Sequence, residues 1–166
     1  MGVRLTPVAL EDHQIHAWMQ RLLVRAEQLG ETGEIPVSAV VLDERGRCIG
    51  HGSNRREWAS DPLGHAELVA LRQAAWITGD WRMNQCTLIV TLEPCPMCAG
   101  AIVHCRLARV VFGVSDPKGG AAGGAMNLLQ FATLNHATEI TSGVMEADCR
   151  SLLQRFFQEK RKSSNC

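Results

Sequence analysis

The sequence has no excess of either charge, no long apolar run and no stretch ordered like a secretory leader, and each lack narrows the possible functions. Lys plus Arg and Asp plus Glu both total 17 in 166 residues, so the formal net charge is zero. A neutral chain exerts no long-range pull on nucleic acid or an anionic membrane, so any polyanionic partner must be held by local basic clusters. No apolar stretch approaches the roughly 20 residues that a membrane helix needs. The first residues lack the charged, apolar, small-residue order of a signal peptide. The expected setting is therefore cytoplasmic, with no membrane partner. Hydrophobic residues make up 46% of the chain, enough for a full core, and residues 1–166 read as a single domain.

Seven cysteines are present. In a reducing compartment a close-spaced pair points to metal or catalysis before a disulfide. Cys48, Cys86, Cys105, Cys149 and Cys166 have no metal-type spacing and read as small buried apolar residues or, at the end of the chain, an exposed thiol. Cys95 and Cys98, in Pro94-Cys95-Pro96-Met97-Cys98, are the close pair.

From Asp12 to Leu29 apolar residues recur at three- and four-residue intervals, as in an amphipathic helix. Val37 to Leu42 and Arg47 to Ser53 read as strands of a hairpin about the turn Asp43-Glu44-Arg45-Gly46. A helix is predicted from about His65 to Ile77, a strand over Thr87–Thr91, a short helix over Met97–His104 and a strand over Ala108–Gly113. Strand, helix, strand in that order implies a right-handed crossover and parallel neighbours. Residues 138–142 add a last strand. A closing helix runs from Met145 to about Lys162 with Leu152, Leu153, Phe156 and Phe157 inward. Gly119–Gly124 is too glycine-rich for regular structure and lacks the lysine and hydroxyl of a phosphate-binding loop. The sum is an α/β domain with helices on both faces of a mixed sheet.

A CxxC pair alone is ambiguous between a redox dithiol, half of a structural zinc knuckle and part of a catalytic metal site. Here it falls where a strand gives way to a helix. Pro96 suits a first helical turn, because its missing donor and fixed φ cost nothing there, and Pro94 keeps Glu93 extended. Cysteines three apart share a helix face, and the unpaired amides at a helix start favour the thiolate that zinc requires. His65-Ala66-Glu67 has the opposite geometry, since helical residues two apart diverge by about 200°. They converge only if His65 opens the helix. Three ligands, His65, Cys95 and Cys98, would then leave the fourth tetrahedral position of a zinc ion open to water, the mark of a catalytic site. Zinc lowers the pKa of such a water from about 15.7 towards 7. Glu67, adjacent but not a ligand, could move its proton to a ring nitrogen and a leaving amine. HxE and PCxxC together form the signature of zinc-dependent deaminases.

With these residues in hand, the chain resembles the bacterial tRNA-specific adenosine deaminases. The likeness runs from about Ala17 to Arg161 and includes Glu34–Val37, Gly52–Asn54, Thr91–Ala101, Asp116–Gly123, Leu134–His136 and Phe156–Arg161. It implies a three-layer α/β/α sandwich around a five-stranded mixed sheet, of the cytidine deaminase-like type, in a homodimer. It also implies hydrolytic deamination of adenosine to inosine at the wobble position of a tRNA anticodon, with one Zn2+ per subunit. On this resemblance His65, Cys95 and Cys98 are zinc ligands and Glu67 the proton shuttle. Asn54 meets the purine edge, the Ala66 amide donates to the base, and Val37 packs on it. Lys118 and Phe157 approach the RNA, with Arg55, Arg56 and Lys160–Lys162 as further basic candidates. Ser38 stands where the family has glycine, Leu63-Gly64 where it has threonine and alanine, and Gln158-Glu159 thin the positive charge before Lys160. Two other readings stay open: a deaminase of free bases or nucleosides, and a non-catalytic zinc or RNA-binding module in which Cys86 or Cys105 closes the metal site.

Overall fold

The computed structural model describes residues 10–164; Cys166 and the opening residues of the chain lie outside them. Among the described residues four helices and five strands follow one another as α1 (Asp12–Glu31), β1 (Ser38–Leu42), β2 (Cys48–Ser53), α2 (Ala66–Thr78), β3 (Thr87–Leu92), α3 (Pro96–His104), β4 (Arg109–Val114), β5 (Glu139–Thr141) and α4 (Glu146–Ser164). The sheet order is β2-β1-β3-β4-β5. β1 is antiparallel to β2 and β3, whereas β3, β4 and β5 are parallel. The mixed five-stranded sheet and the helix placement are those the sequence predicts.

Alternation along the central strands sends successive side chains to opposite faces. Ala39, Val41, Leu88, Val90, Val110 and Phe112 pack with Ala66, Ala70 and Ala74 of α2 and Ile102 of α3. Val40, Leu42, Ile89 and Val111 pack on the other side with Ile15, Met19 and Leu22 of α1 and Cys149 of α4. These strands are covered on both faces, so they read as unbroken apolar runs.

β2 is an edge strand with two glycines toward α2. A Cβ on Gly52 would lie 2.8 Å from the Ala70 nitrogen, and one on Gly50 2.8 Å from that of Ala74. Their absence brings the α2 backbone against the sheet, and α2 carries one half of the site at its start.

α4 departs from expectation. Cys149, Leu152 and Phe156 are buried, but Phe157 is 43% exposed. Residue 157 lies about 100° around the helix from 156, which turns it off the core and toward the cavity described next.

Candidate functional site

A cavity of about 730 Å³ opens at the carboxyl ends of β3 and β4, and His65, Glu67, Cys95, Asn54 and Val37 line it. Parallel strands present their carboxyl ends here, where α/β sheets commonly bind ligands. β1 runs the other way, which brings Val37, just ahead of it, to the same end.

His65 is the extended N-cap of α2 (φ −82°, ψ 145°). Cys95 is the extended N-cap of α3 (φ −74°, ψ 171°), with Pro96 in the first turn. His65 thus stands half outside its helix, which resolves the divergence of residues two apart, and Glu67 points inward from the first turn. His65 Nδ1 lies 3.6 Å from Cys95 Sγ and 3.5 Å from Cys98 Sγ. Zn–S bonds of about 2.3 Å and Zn–N bonds of about 2.0 Å at tetrahedral angles give an N···S edge of about 3.5 Å. Both N···S separations match that edge, and the three donor atoms, all within 4.8 Å of one another, could hold a zinc ion. Among the described residues Cys86 and Cys105 do not join this cluster; Cys105 Sγ donates instead to the Ile102 carbonyl.

The electrostatics favour a thiolate at Cys95. A hydrogen bond from Cys98, and then the His65 imidazole, hold the Cys95 thiol down at about 4. Cys98, on the donor side of that bond and buried, is pushed up. The Cys95 hydrogen bond raises His65. Glu67 is 4% exposed, and burial pushes its carboxyl up to about 7, the range in which a carboxyl both takes and returns a proton near neutrality.

Asn54 is buried and its Oδ1 accepts the Ala66 N–H at 2.9 Å. The Ala66 amide expected to face a base is thus turned to Asn54, because an N–H has one proton to give and the Asn54 carbonyl takes it. The Asn54 Nδ2 group is the donor left on the cavity wall. Val37 lines the cavity while 3% exposed, and Phe157 lines it from α4.

Lys118 is exposed and does not line the cavity. Its loop is folded on Glu93, a buried carboxylate that accepts the N–H groups of Asp116 at 2.7 Å, Ala122 at 2.9 Å and Gly124 at 2.7 Å. A Cβ on Gly120 or Gly124 would collide with that carboxylate. The glycines of this loop therefore wrap an internal anion. Ser38 does not reach the cavity either, since its hydroxyl donates to the Leu22 carbonyl of α1. Arg55 is turned away to Asp61, at 3.2 Å, and packs over Gly64, where a Cβ would lie 2.9 Å from its Cγ.

Sequence reasoning named Phe157 and Arg161 but missed the rest of the α4 wall. Arg150, Leu153, Gln154, Phe157, Gln158 and Arg161 all line the cavity and recur at three- and four-residue steps, so they form one stripe beside the buried one. That spacing was the available signal, masked because an exposed arginine or glutamine on a helix ordinarily means solvent.

The chain matches the model of the MafB19-like deaminase family over residues 11–161. The tRNA-specific adenosine deaminase of Bacillus subtilis (strain 168) is 44% identical over 149 residues, spanning 90% of this chain and 92% of its own length. That of Haemophilus influenzae (strain ATCC 51907 / DSM 11121 / KW20 / Rd) is 45% identical over 144 residues, 87% of this chain and 83% of its own. A solved structure from work on A-to-I editing by tRNA:A34 deaminases at the wobble position superposes with a TM-score of 0.76 at 38% identity, over 82% of this chain and 99% of that one. With its fold, its HxE and PCxxC residues and its near full-length likeness agreeing, the chain belongs to the tRNA-specific adenosine deaminases.

Proposed function

We propose that the chain is one catalytic domain that converts adenosine to inosine at the wobble position of a tRNA anticodon by hydrolysis. The observation that carries this reading is the convergence of His65, Cys95 and Cys98 beside the buried Glu67 on a cavity of about 730 Å³, in a chain 44% identical to a tRNA-specific adenosine deaminase.

His65 Nδ1 and the two sulfurs would hold one Zn2+ per subunit. Bound there, zinc supplies a Lewis acid that brings the pKa of water from about 15.7 down to about 7. Glu67 takes a proton from the attacking water and gives it to N1 of adenine as the oxygen bonds C6. The same carboxyl then takes the second proton of that oxygen and gives it to the exocyclic nitrogen as the C6–N bond breaks. Water and adenosine become inosine and ammonia, and Glu67 ends as it began. Asn54 Nδ2 orients the purine edge and Val37 covers the base. A purine in a duplex cannot enter such a cavity, so the target nucleotide has to be unstacked and turned inward.

Arg56, Arg150 and Arg161 line the cavity and favour RNA, since a free base has no phosphate for them; Arg56 and Arg150 are also paired with Glu57 and Glu146. Arg161 makes no ion pair with a carboxylate among the described residues. A homodimer and a cytoplasmic setting belong to the same proposal. Trp76 and Ile77 at the end of α2, 84% and 53% exposed, offer apolar surface for a second copy, which light scattering would detect. The deciding experiment incubates the zinc-loaded protein with an anticodon stem-loop and with free adenine, guanine and cytosine. Inosine in the stem-loop is expected; ammonia from free bases with an unedited stem-loop would overturn the reading.

A further inference from the structure

A second cavity, of about 850 Å³, lies on the other side of Asn54, between α1, β2 and α2. Arg21 and Arg25 of α1, Arg55, and the indoles of Trp18 and Trp58 line it, and among the described residues no carboxylate does. In a chain whose acidic and basic residues balance at 17 each, that is a strong local segregation of charge. The Arg21 guanidinium lies 4.8 Å over the Trp18 ring, and Arg25 Nε donates to Ser53 Oγ at 3.1 Å. Neither arginine pairs with a carboxylate among the described residues, whereas Arg55 is held by Asp61.

Trp58 is 70% exposed, a costly position for an indole with nothing to stack on. Its backbone is nevertheless fixed, because the buried Glu34 carboxylate accepts the N–H of Glu57 at 2.8 Å and of Trp58 at 3.4 Å. A rigid loop thus presents a bare aromatic plane beside two uncompensated guanidiniums. Stacking platforms set along a cationic groove are what single-stranded nucleic acid requires; an acidic peptide would use the charges and leave the indole idle. Asn54 lines both cavities, so a strand whose target nucleotide enters the first can continue into the second.

We propose that this groove is a second RNA-binding site, holding single-stranded nucleotides that flank the edited one. A base stacks on Trp58 and phosphates lie on Arg21 and Arg25. The assignment rests on the RNA-deaminase reading above. It is tested with the zinc-loaded full chain and two labelled unstructured RNAs carrying one adenosine, of about 5 and about 15 nucleotides, a range that spans the reach of such grooves. The longer RNA should bind wild type at least about tenfold more tightly. Arg21→Ala with Arg25→Ala should abolish most of that gain and reduce the salt slope of log K by about 1.4, at about 0.7 per single-strand phosphate. Trp58→Ala should weaken the longer RNA about tenfold and leave the slope alone, since stacking releases no counterions. Both variants should bind the short RNA as wild type does. Wild-type affinity and slope for the longer RNA in all variants would overturn the groove assignment. Inosine is scored in parallel in an anticodon stem-loop: if it forms there while the variants match wild type on the longer RNA, only the groove falls, and if wild type leaves the stem-loop unedited, the deaminase reading falls.

Discussion

The proposed metal ligands and the proposed proton carrier are neighbouring residues with different environments, so point changes should separate the two roles. Glu67→Gln keeps volume and burial and removes the basic oxygen; kcat should fall by about 10²- to 10⁴-fold with zinc content unchanged by elemental analysis. His65→Ala, Cys95→Ala or Cys98→Ala removes a donor from a set of three, and each should lose the metal as well as the activity. Away from the site, Asp43 makes a pH-dependent contribution. Burial alone would raise its carboxyl, but the Arg47 side chain and the Arg47 and Arg45 amides outweigh burial and hold it below the ordinary 3.8. A carboxyl depressed in the folded state stabilises fully above its unfolded pKa and progressively less as pH falls through its folded one. Asp43→Asn should therefore lower urea stability at pH 7 by about 1–2 kcal/mol, and the gap from wild type should close as pH falls below 3.8 and on through the lower folded-state value. A gap that persists in acid would mean that the turn depends on side-chain shape and not on charge.

At the scale of elements, the site depends on how closely two helices approach the sheet. Gly52→Ala would drive a Cβ to within 2.9 Å of Val69 Cβ and 2.8 Å of the Ala70 nitrogen. Displacing α2 should cost about 1–3 kcal/mol and weaken zinc binding, because His65 caps that helix. Calorimetry and metal competition would read both; a stable variant with unchanged zinc affinity would show that α2 does not rely on the contact. Glu93→Gln should loosen the glycine loop in the same way, replacing one of two carboxylate oxygens that together take three N–H groups, with faster hydrogen exchange over 116–124 as the readout. The elements themselves were legible because strands with both faces covered are continuous apolar runs and α1 is plainly amphipathic. The convergence of His65, Cys95 and Cys98 was legible because Pro96 and the HxE spacing fix where helices begin. The face of α4 was not: Phe156 and Phe157 are equally apolar, and only the position of α4 against β4 decides that the first is core and the second cavity wall. The role of Glu93 was hidden too, since a glutamate before proline carries no mark of the three amides it meets from a loop more than twenty residues on.

For the whole molecule, the proposed zinc ties together the starts of two helices that pack on the same face of the sheet. α2 lies on the antiparallel side and caps with His65, while α3 follows β3, starts the parallel side and caps with Cys95. A metal held by His65 at the start of one helix and by Cys95 and Cys98 at the start of another couples its binding free energy to the folding of both helix starts. Removing the metal should therefore destabilise more than the loop around it. With about 2–4 °C of Tm per kcal/mol for a chain of this size, loss of several kcal/mol of binding energy corresponds to a drop of about 10 °C on chelation, reversed by adding zinc. Hydrogen exchange should rise first at 65–68 and 95–99, where both helices start, and leave β1 and β3 protected. If the melting temperature does not move while activity disappears, the metal is a pure reaction centre and the helix ends are held by the sheet alone.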